Sequence, residues 1–332
     1  MEYMRNYPKI ELHCHLDGSV PLQTLRELLK DPELPKEAFE APKDCRSLAE
    51  YLTRFDLPLT CMQTKEGLKR VAEDFMLSLK KDNVRYVEVR FAPLLCTQQG
   101  LTCREVLESV LEGLNKGRMK TGILYHVIVC AMRHHSFEEN FHVLLNAMEF
   151  HRAGVCAMDL AGNEAAYPTG AFQELFRKAK NYRMPFTIHS GECGSLANVQ
   201  AAYEFGARRV GHGIALMESP ELMRYFAQKG IGVEVCPTSN FQTKAVEKRE
   251  DYPLKRFFEG NLKVSINTDN RTVSGTDLTG ELQSALAFLS PGEELPLELK
   301  LDILQKLQKN AIDTAFADDA EKQELWRMVE NF

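Results

Sequence analysis

The sequence predicts an α/β fold: a (β/α)8 TIM barrel with a lid insertion after strand 1 and extra C-terminal helices. Three observations lead there. Short runs rich in β-branched and aromatic residues recur about eight times, and amphipathic stretches with helix start and stop signals alternate with them. Polar residues able to do chemistry stand at or just after the ends of several runs, positions that face one another across the C-terminal mouth of such a barrel. Alternation alone suits an open doubly wound sheet as well as a closed barrel; the placement of the polar residues selects the barrel.

The strand runs are Lys9 to His15, Val84 to Ala92, Ile123 to Ala131, Val155 to Leu160, Pro185 to His189, Arg209 to His212, Gly232 to Cys236 and Lys263 to Asn267. Ahead of the second run, Leu68, Val71, Ala72, Phe75, Met76 and Leu79 fall on one helical stripe. Thr102-Cys103-Arg104-Glu105 opens the next helix with a capping box, and Gly117 stands near that helix's end. After the sixth run, Ser219 and Pro220 fit an N-cap and first helical position, and Gly230 is placed to stop the helix. Pro35 to Gln63 is too long for a simple βα loop and predicts an insertion folded over the mouth. In the tail from Pro296 to Phe332, Leu299, Ile303, Leu304 and Leu307 have helical spacing and predict helices packed outside the barrel. No linker or composition break divides the chain, so residues 1–332 read as a single domain.

Composition narrows the function classes. With 44% hydrophobic and 27% charged residues, the chain can bury a large core beneath a solvated surface. The formal charge of −6, with no concentrated Lys/Arg block, argues against a nucleic-acid partner. Met1 to Tyr7 carries charge without an apolar core, and no apolar stretch approaches bilayer length, so no membrane partner is expected and cytoplasmic residence is. Nine scattered cysteines, with no Cys-x-x-Cys pair, read as reduced thiols.

The chemistry starts at Ile10 to Asp17, Ile-Glu-Leu-His-Cys-His-Leu-Asp. His13 and His15 lie two apart on a strand, so their imidazoles share one face. A His-x-His pair alone is a weak metal signal. The other strand ends add His189 and Glu192 in His-Ser-Gly-Glu, His212 in Gly-His-Gly, Gly162 in Asp-Leu-Ala-Gly and Asp269 in Asn-Thr-Asp-Asn. His13, His15, His189 and Asp269 make a nitrogen-rich set suited to Zn²⁺, with Fe²⁺, Mn²⁺ or Co²⁺ as alternatives. Such a metal lowers the pKa of bound water from about 15.7 towards about 7. Glu192 is then placed to pass protons, and His212 to orient or deprotonate water, which together describe a hydrolase. His126, His134, His135, His142 and His151 lack this placement and read as structural or surface residues. No His-Glu-x-x-His, no His-x-Glu with Pro-Cys-x-x-Cys, no Walker A and no dinucleotide fingerprint is present.

Six segments in order resemble the adenosine deaminase family of the amidohydrolase superfamily: His13-Cys14-His15-Leu16-Asp17-Gly18, Asp159-Leu160-Ala161-Gly162-Asn163-Glu164, His189-Ser190-Gly191-Glu192, Gly211-His212-Gly213, Cys236-Pro237-Thr238-Ser239-Asn240 and Ser265-Ile266-Asn267-Thr268-Asp269. The resemblance covers nearly the whole chain. It implies one zinc per chain on His13, His15, His189 and Asp269, and a purine nucleoside as substrate. Asp17 would hold the ribose hydroxyl, with His15 beside it among the substrate-facing residues. Gly162 would offer its backbone to purine N3 and Glu192 would protonate N1. His212 with Asp269 would activate the hydroxide that attacks C6, converting adenosine, and 2′-deoxyadenosine, to the inosine product and ammonia. Leu52 and Phe55 look like the family's apolar gate over the purine.

One position departs from the commoner family pattern. Asn270 stands where a second Asp is usual, at the residue expected to meet purine N7. A carboxyl must be protonated to donate there, whereas an amide donates as it stands. Relatives sharing this barrel core act on adenine or on other adenine derivatives, so an adenine or other aminopurine deaminase is the alternative. A non-catalytic metal-binding barrel is the reading from a different class. Oligomeric state is left open.

Overall fold

The computed structural model, which describes residues 2–42 and 44–332, contains eight strands in two four-stranded parallel sheets. The first holds β1 (Lys9–His15), β2 (Val84–Phe91), β3 (Leu124–Met132) and β4 (Val155–Ala161) in that order. The second holds β5 (Thr187–Ser190), β6 (Arg209–His212), β7 (Gly232–Val235) and β8 (Lys263–Ile266). Parallel bridges join both seams, Met158 with Phe186 and Cys14 with Asp269, and the sheets close into the expected barrel. The second bridge matters most, because it ties β1 to the residue that follows β8.

The strand limits differ from the expected ones by one or two residues, for reasons in the chain. β5 starts at Thr187 because Pro185 has no N–H for the ladder; its carbonyl still accepts from Met158 N at 2.9 Å. β2 and β7 stop early because Ala92 and Cys236 serve as N-caps of Pro93–Cys96 and Pro237–Gln242. β3 begins one residue late, after Gly122 caps the preceding helix in left-handed conformation, φ 75°. β8 ends before Asn267, whose side chain takes over ladder duty by accepting from Leu12 N at 3.0 Å.

Gly117 needs a different account from its place near the helix end. The helix Cys103–Thr121 runs four residues past it. A Cβ on Gly117 would lie 2.4 Å from Met76 Cβ, so this glycine lets the helix press against its neighbour Lys65–Lys81. The capping box foreseen at Thr102 and the caps foreseen at Ser219 and Gly230 are all formed. In the C-terminal helices Leu297–Thr314 and Asp319–Glu330, Leu304 and Leu307 are fully buried, whereas Leu299 is 45% exposed and faces solvent. That first turn overhangs the barrel, and the helix docks only further along, where Gln308 Oε1 accepts from Ile10 N at 2.7 Å. No helix among the described residues is long and apolar enough to cross a membrane.

The segment 35–63, of which Lys43 lies outside the described residues, forms the short helices Leu48–Leu52 and Asp56–Thr60 among turns. Leu48, Tyr51, Leu52 and Phe55 from it line a cavity at the C-terminal ends of the strands.

A buried acid links two elements beneath that mouth. Glu281, on the helix Leu278–Leu289, accepts from Thr276 Oγ1 at 2.6 Å and Thr238 N at 3.1 Å, and burial pushes its pKa up to about 7. The folded value lies above the ordinary 4.5, so the fold favours the neutral acid. Its contribution to stability is complete below about pH 4.5 and is lost as pH rises through 7. Glu281→Gln should flatten that slope: thermal melts at pH 5 and pH 8 should differ less for the variant than for the unsubstituted protein.

Candidate active site

Each strand end delivers its residues to one place. On β1, Glu11, His13 and His15 share the inner face, and Asp17 follows in the first turn. β5 brings His189, with Glu192 just beyond; β6 ends on His212; Asp269 follows β8. His212 and Asp269 hold left-handed backbone, φ 61° and φ 57°, which non-glycine residues rarely adopt and which costs of order 1 kcal/mol or more each. At Asp269 the surroundings compel it: its N–H donates to His13 O at 2.9 Å, and its carbonyl accepts from His15 N at 2.7 Å. The strained turn aims the carboxylate back at the two imidazoles.

The imidazoles are oriented from behind. His13 Nδ1 donates to Glu234 Oε2 at 2.8 Å, His189 Nδ1 lies 2.7 Å from Asp159 Oδ2, and His212 Nδ1 meets the Asn240 amide at 3.0 Å. All three Nε2 atoms therefore face inward. His13 Nε2 is buried, has no hydrogen-bond partner and lies 3.3 Å from Asp269 Oδ1. His15 Nε2 lies 3.5 Å from the same oxygen and 3.1 Å from His189 Nε2. With Nδ1 of His13 and His189 turned to carboxylates, the Nε2 lone pair of His13 faces an anionic oxygen and that of His189 faces His15 Nε2, an arrangement that repels itself unless a cation sits among them. Ligand atoms of His13, His189, His212 and Asp269 all lie within 4.8 Å of one another. His212 thus stands close beside the predicted ligands, as orienting or deprotonating a metal-bound water requires. Burial pulls His15, His189 and His212 below the usual imidazole value, favouring the neutral form that binds metals.

Below these residues lies a charged network for which the sequence reading assigned no role. Arg90 donates to Asp159 Oδ2 at 2.9 Å and to Glu234 Oε2 at 2.8 Å; Arg209 donates to Glu234 Oε1 and Glu88 Oε2, each at 2.5 Å. All five side chains are fully buried. Glu234 and Asp159 also reach His13 and His189, so this network fixes the direction of two of the imidazoles. A signal was present, since each charge interrupts an apolar strand run on the barrel's inner face, as in Val-Glu-Val-Arg from Val87 to Arg90.

Glu192 stands on a loop pinned by Glu164, whose carboxylate accepts from the N–H groups of Gly191, Glu192 and Cys193 at 2.6, 2.9 and 3.1 Å. Burial pushes the Glu192 pKa up to about 8, and the charges of Asp269 and Glu164 add to the rise. Its Oε2 lies 3.7 Å from His212 Nε2. Burial likewise pushes Asp17 up to about 7.

These groups open into a cavity of about 350 Å³, a size that holds a small ligand. His15, Asp17, Leu52, Phe55, Gly162, His189, Glu192, His212, Asp269 and Asn270 all line it, while His13 lies fully buried behind them. Gly162 has φ 105°, which lets its backbone stand at the wall. His134, read from sequence as structural or surface, also lines the cavity. It sits two residues past β3, the same kind of strand-end position as the others.

Comparison with known proteins adds the family. The adenosine deaminase family profile matches residues 8–332. The chain is 41% identical to an adenosine deaminase of Enterococcus faecalis, over 98% of this chain and 97% of that one. It is 37% identical to an adenosine deaminase of Clostridium perfringens, over 96% and 97% respectively. Among solved structures it resembles an Arabidopsis N6-mAMP deaminase, with 27% identity, a TM-score of 0.87 and full coverage of both chains.

Proposed function

The chain belongs to the adenosine deaminase family, and from that premise we propose how its own residues carry out hydrolytic deamination of adenosine to inosine and ammonia. The observation that carries the reading is the gathering of His13 and His15 Nε2 about Asp269 Oδ1, with His189 Nε2 beside His15 Nε2 and the Glu192 carboxyl close beside His212.

His13, His15, His189 and Asp269 would hold one metal ion, and three imidazole nitrogens with one carboxylate oxygen suit zinc. When bound there, zinc supplies the Lewis acidity that makes water a nucleophile near neutral pH. Asp17 accepts a hydrogen bond from a ribose hydroxyl beside His15, and the Gly162 backbone meets purine N3. Glu192, raised to about 8 by burial, is protonated at neutral pH and donates its proton to N1. That transfer drains electron density from C6, the carbon under attack. His212 takes one proton from the attacking water and passes it to the leaving amine, and the proton left on the C6 hydroxyl returns to Glu192 as the C6 carbonyl forms. Asn240, whose side-chain nitrogen stands 3.0 Å from His212 Nδ1 and whose oxygen accepts from the Tyr252 hydroxyl, holds the ring so that Nε2 faces the cavity. Leu52 and Phe55, half-buried on the segment 35–63, cover the purine and exclude water. Nine unpaired thiols, eight of them buried, support a reducing, cytoplasmic setting.

Asn270 at the cavity wall bears on which aminopurine fits best. Metal-loaded protein should deaminate adenosine and 2′-deoxyadenosine, followed by loss of adenosine absorbance, and should do so faster than adenine or adenosine monophosphate. Dialysis against a chelator should abolish the activity, and zinc should restore it. Metal-loaded protein inert on both nucleosides but active on adenine would replace this substrate with the free base.

A further inference from the structure

Tyr51 is buried on the short helix Leu48–Leu52, and the proposed reaction gives it no part. Its hydroxyl lies 2.6 Å from Ser274 Oγ and 3.0 Å from the Asn270 side-chain nitrogen. The Asn270 oxygen is buried with no hydrogen-bond partner, and Tyr51 and Asn270 line the same cavity. One end of this amide is therefore held by a tyrosine hydroxyl, and the other is left over.

The two ends of a carboxamide are nearly isosteric, so hydrogen-bond partners decide which end points where. Each hydroxyl of the relay has a single proton to give. If the amide N–H donates to Tyr51, and Tyr51 to Ser274, the end left over is a buried carbonyl without a donor, which is a costly arrangement. If Ser274 donates to Tyr51, and Tyr51 to the amide oxygen, the end left over is an N–H, as costly to bury alone but satisfied once a ligand brings an acceptor. A ring nitrogen with only a lone pair, such as purine N7, is repelled by the first arrangement and bound by the second.

We propose that Tyr51 is a positioning residue: its hydroxyl, supplied with a hydrogen bond by Ser274, turns the Asn270 amide so that its N–H end meets the ring-nitrogen acceptor of the bound purine. The inference rests on the reading that the cavity holds a purine nucleoside. Tyr51 belongs to the segment 35–63 that also carries Leu52 and Phe55, so one segment both walls the cavity and reaches the amide. Sequence logic that looks only at Asn270 would see an amide able to present either end; Tyr51, when Ser274 donates to it, selects the oxygen as its partner.

The test compares inosine with 7-deazainosine, which has a C–H in place of N7, as competitive inhibitors of adenosine deamination. The unsubstituted protein should bind inosine more tightly. Tyr51→Phe should narrow that preference by about 2- to 10-fold, the range of one hydrogen bond, through weaker inosine binding and with unchanged metal content. Ser274→Ala should narrow it less, and carries the test alone if Tyr51→Phe does not fold. Equal weakening of both ligands, or an unchanged preference, would overturn the proposal by leaving Tyr51 a packing residue. Absence of inhibition by inosine in the unsubstituted protein is a separate result: it would overturn the purine reading, and the relay's ligand with it.

Discussion

Glu192→Gln should lower kcat for adenosine by about 10²- to 10⁴-fold, the usual worth of a positioned general acid, while bound metal stays at the level of the unsubstituted protein. The substitution is nearly isosteric, and Glu164 holds this loop through three backbone N–H groups that the new side chain does not touch, so the site keeps its shape. What is lost is the acidic proton. A glutamine can still hydrogen-bond to purine N1, but it cannot protonate it, so the carbon under attack stays electron-rich. Substrate binding should accordingly change much less than turnover, and KM should move by less than kcat. Metal analysis beside steady-state kinetics checks both halves. A variant that keeps ordinary turnover would remove Glu192 from the role of acid, and one that loses its metal would place it in the ligand set instead.

Most of the barrel was legible because parallel strands alternate with helices at a regular interval, and each helix is punctuated by its own caps, as at Thr102 and Ser219. The gathering of the candidate site residues was legible for a related reason. His13 and His15 share a face by the two-residue period of a strand, and the other groups stand where strands end. The network beneath was not legible as a network, because its pairing is long-range. Arg90 and Glu234 are 144 positions apart, and nothing local to either says that they meet. Tyr51 was missed for the opposite reason: the helix Leu48–Leu52 has five residues, too few for a hydrophobic period to show which side faces the cavity. Leu52 and Phe55 could be named from the family pattern, whereas a tyrosine acting on a neighbour's amide has no pattern of its own.

Glu234→Gln should have the largest effect on stability of any conservative change in the chain, about 3 to 5 kcal/mol, with metal affinity weakened by about 10- to 100-fold. Glu234 is fully buried and accepts from four donors: His13 Nδ1, Arg90, Arg209 and Thr187 Oγ1. The two guanidiniums hold its carboxyl well below the usual carboxylate range against the cost of burial. An amide in its place keeps the volume but removes the charge, and half of its polar atoms become donors facing donors. Arg209 then keeps only Glu88 as a charged partner, and Arg90 only Asp159. The imidazole of His13 loses the acceptor that fixed its Nδ1–H, so its Nε2 is no longer committed to the metal. A lowered melting temperature together with weaker zinc retention in a competing chelator is the expected pair of results. Loss of stability with unaltered metal affinity would show that the network supports the barrel alone, and that His13 is aimed by β1 and the Asp269 bridge without help from Glu234.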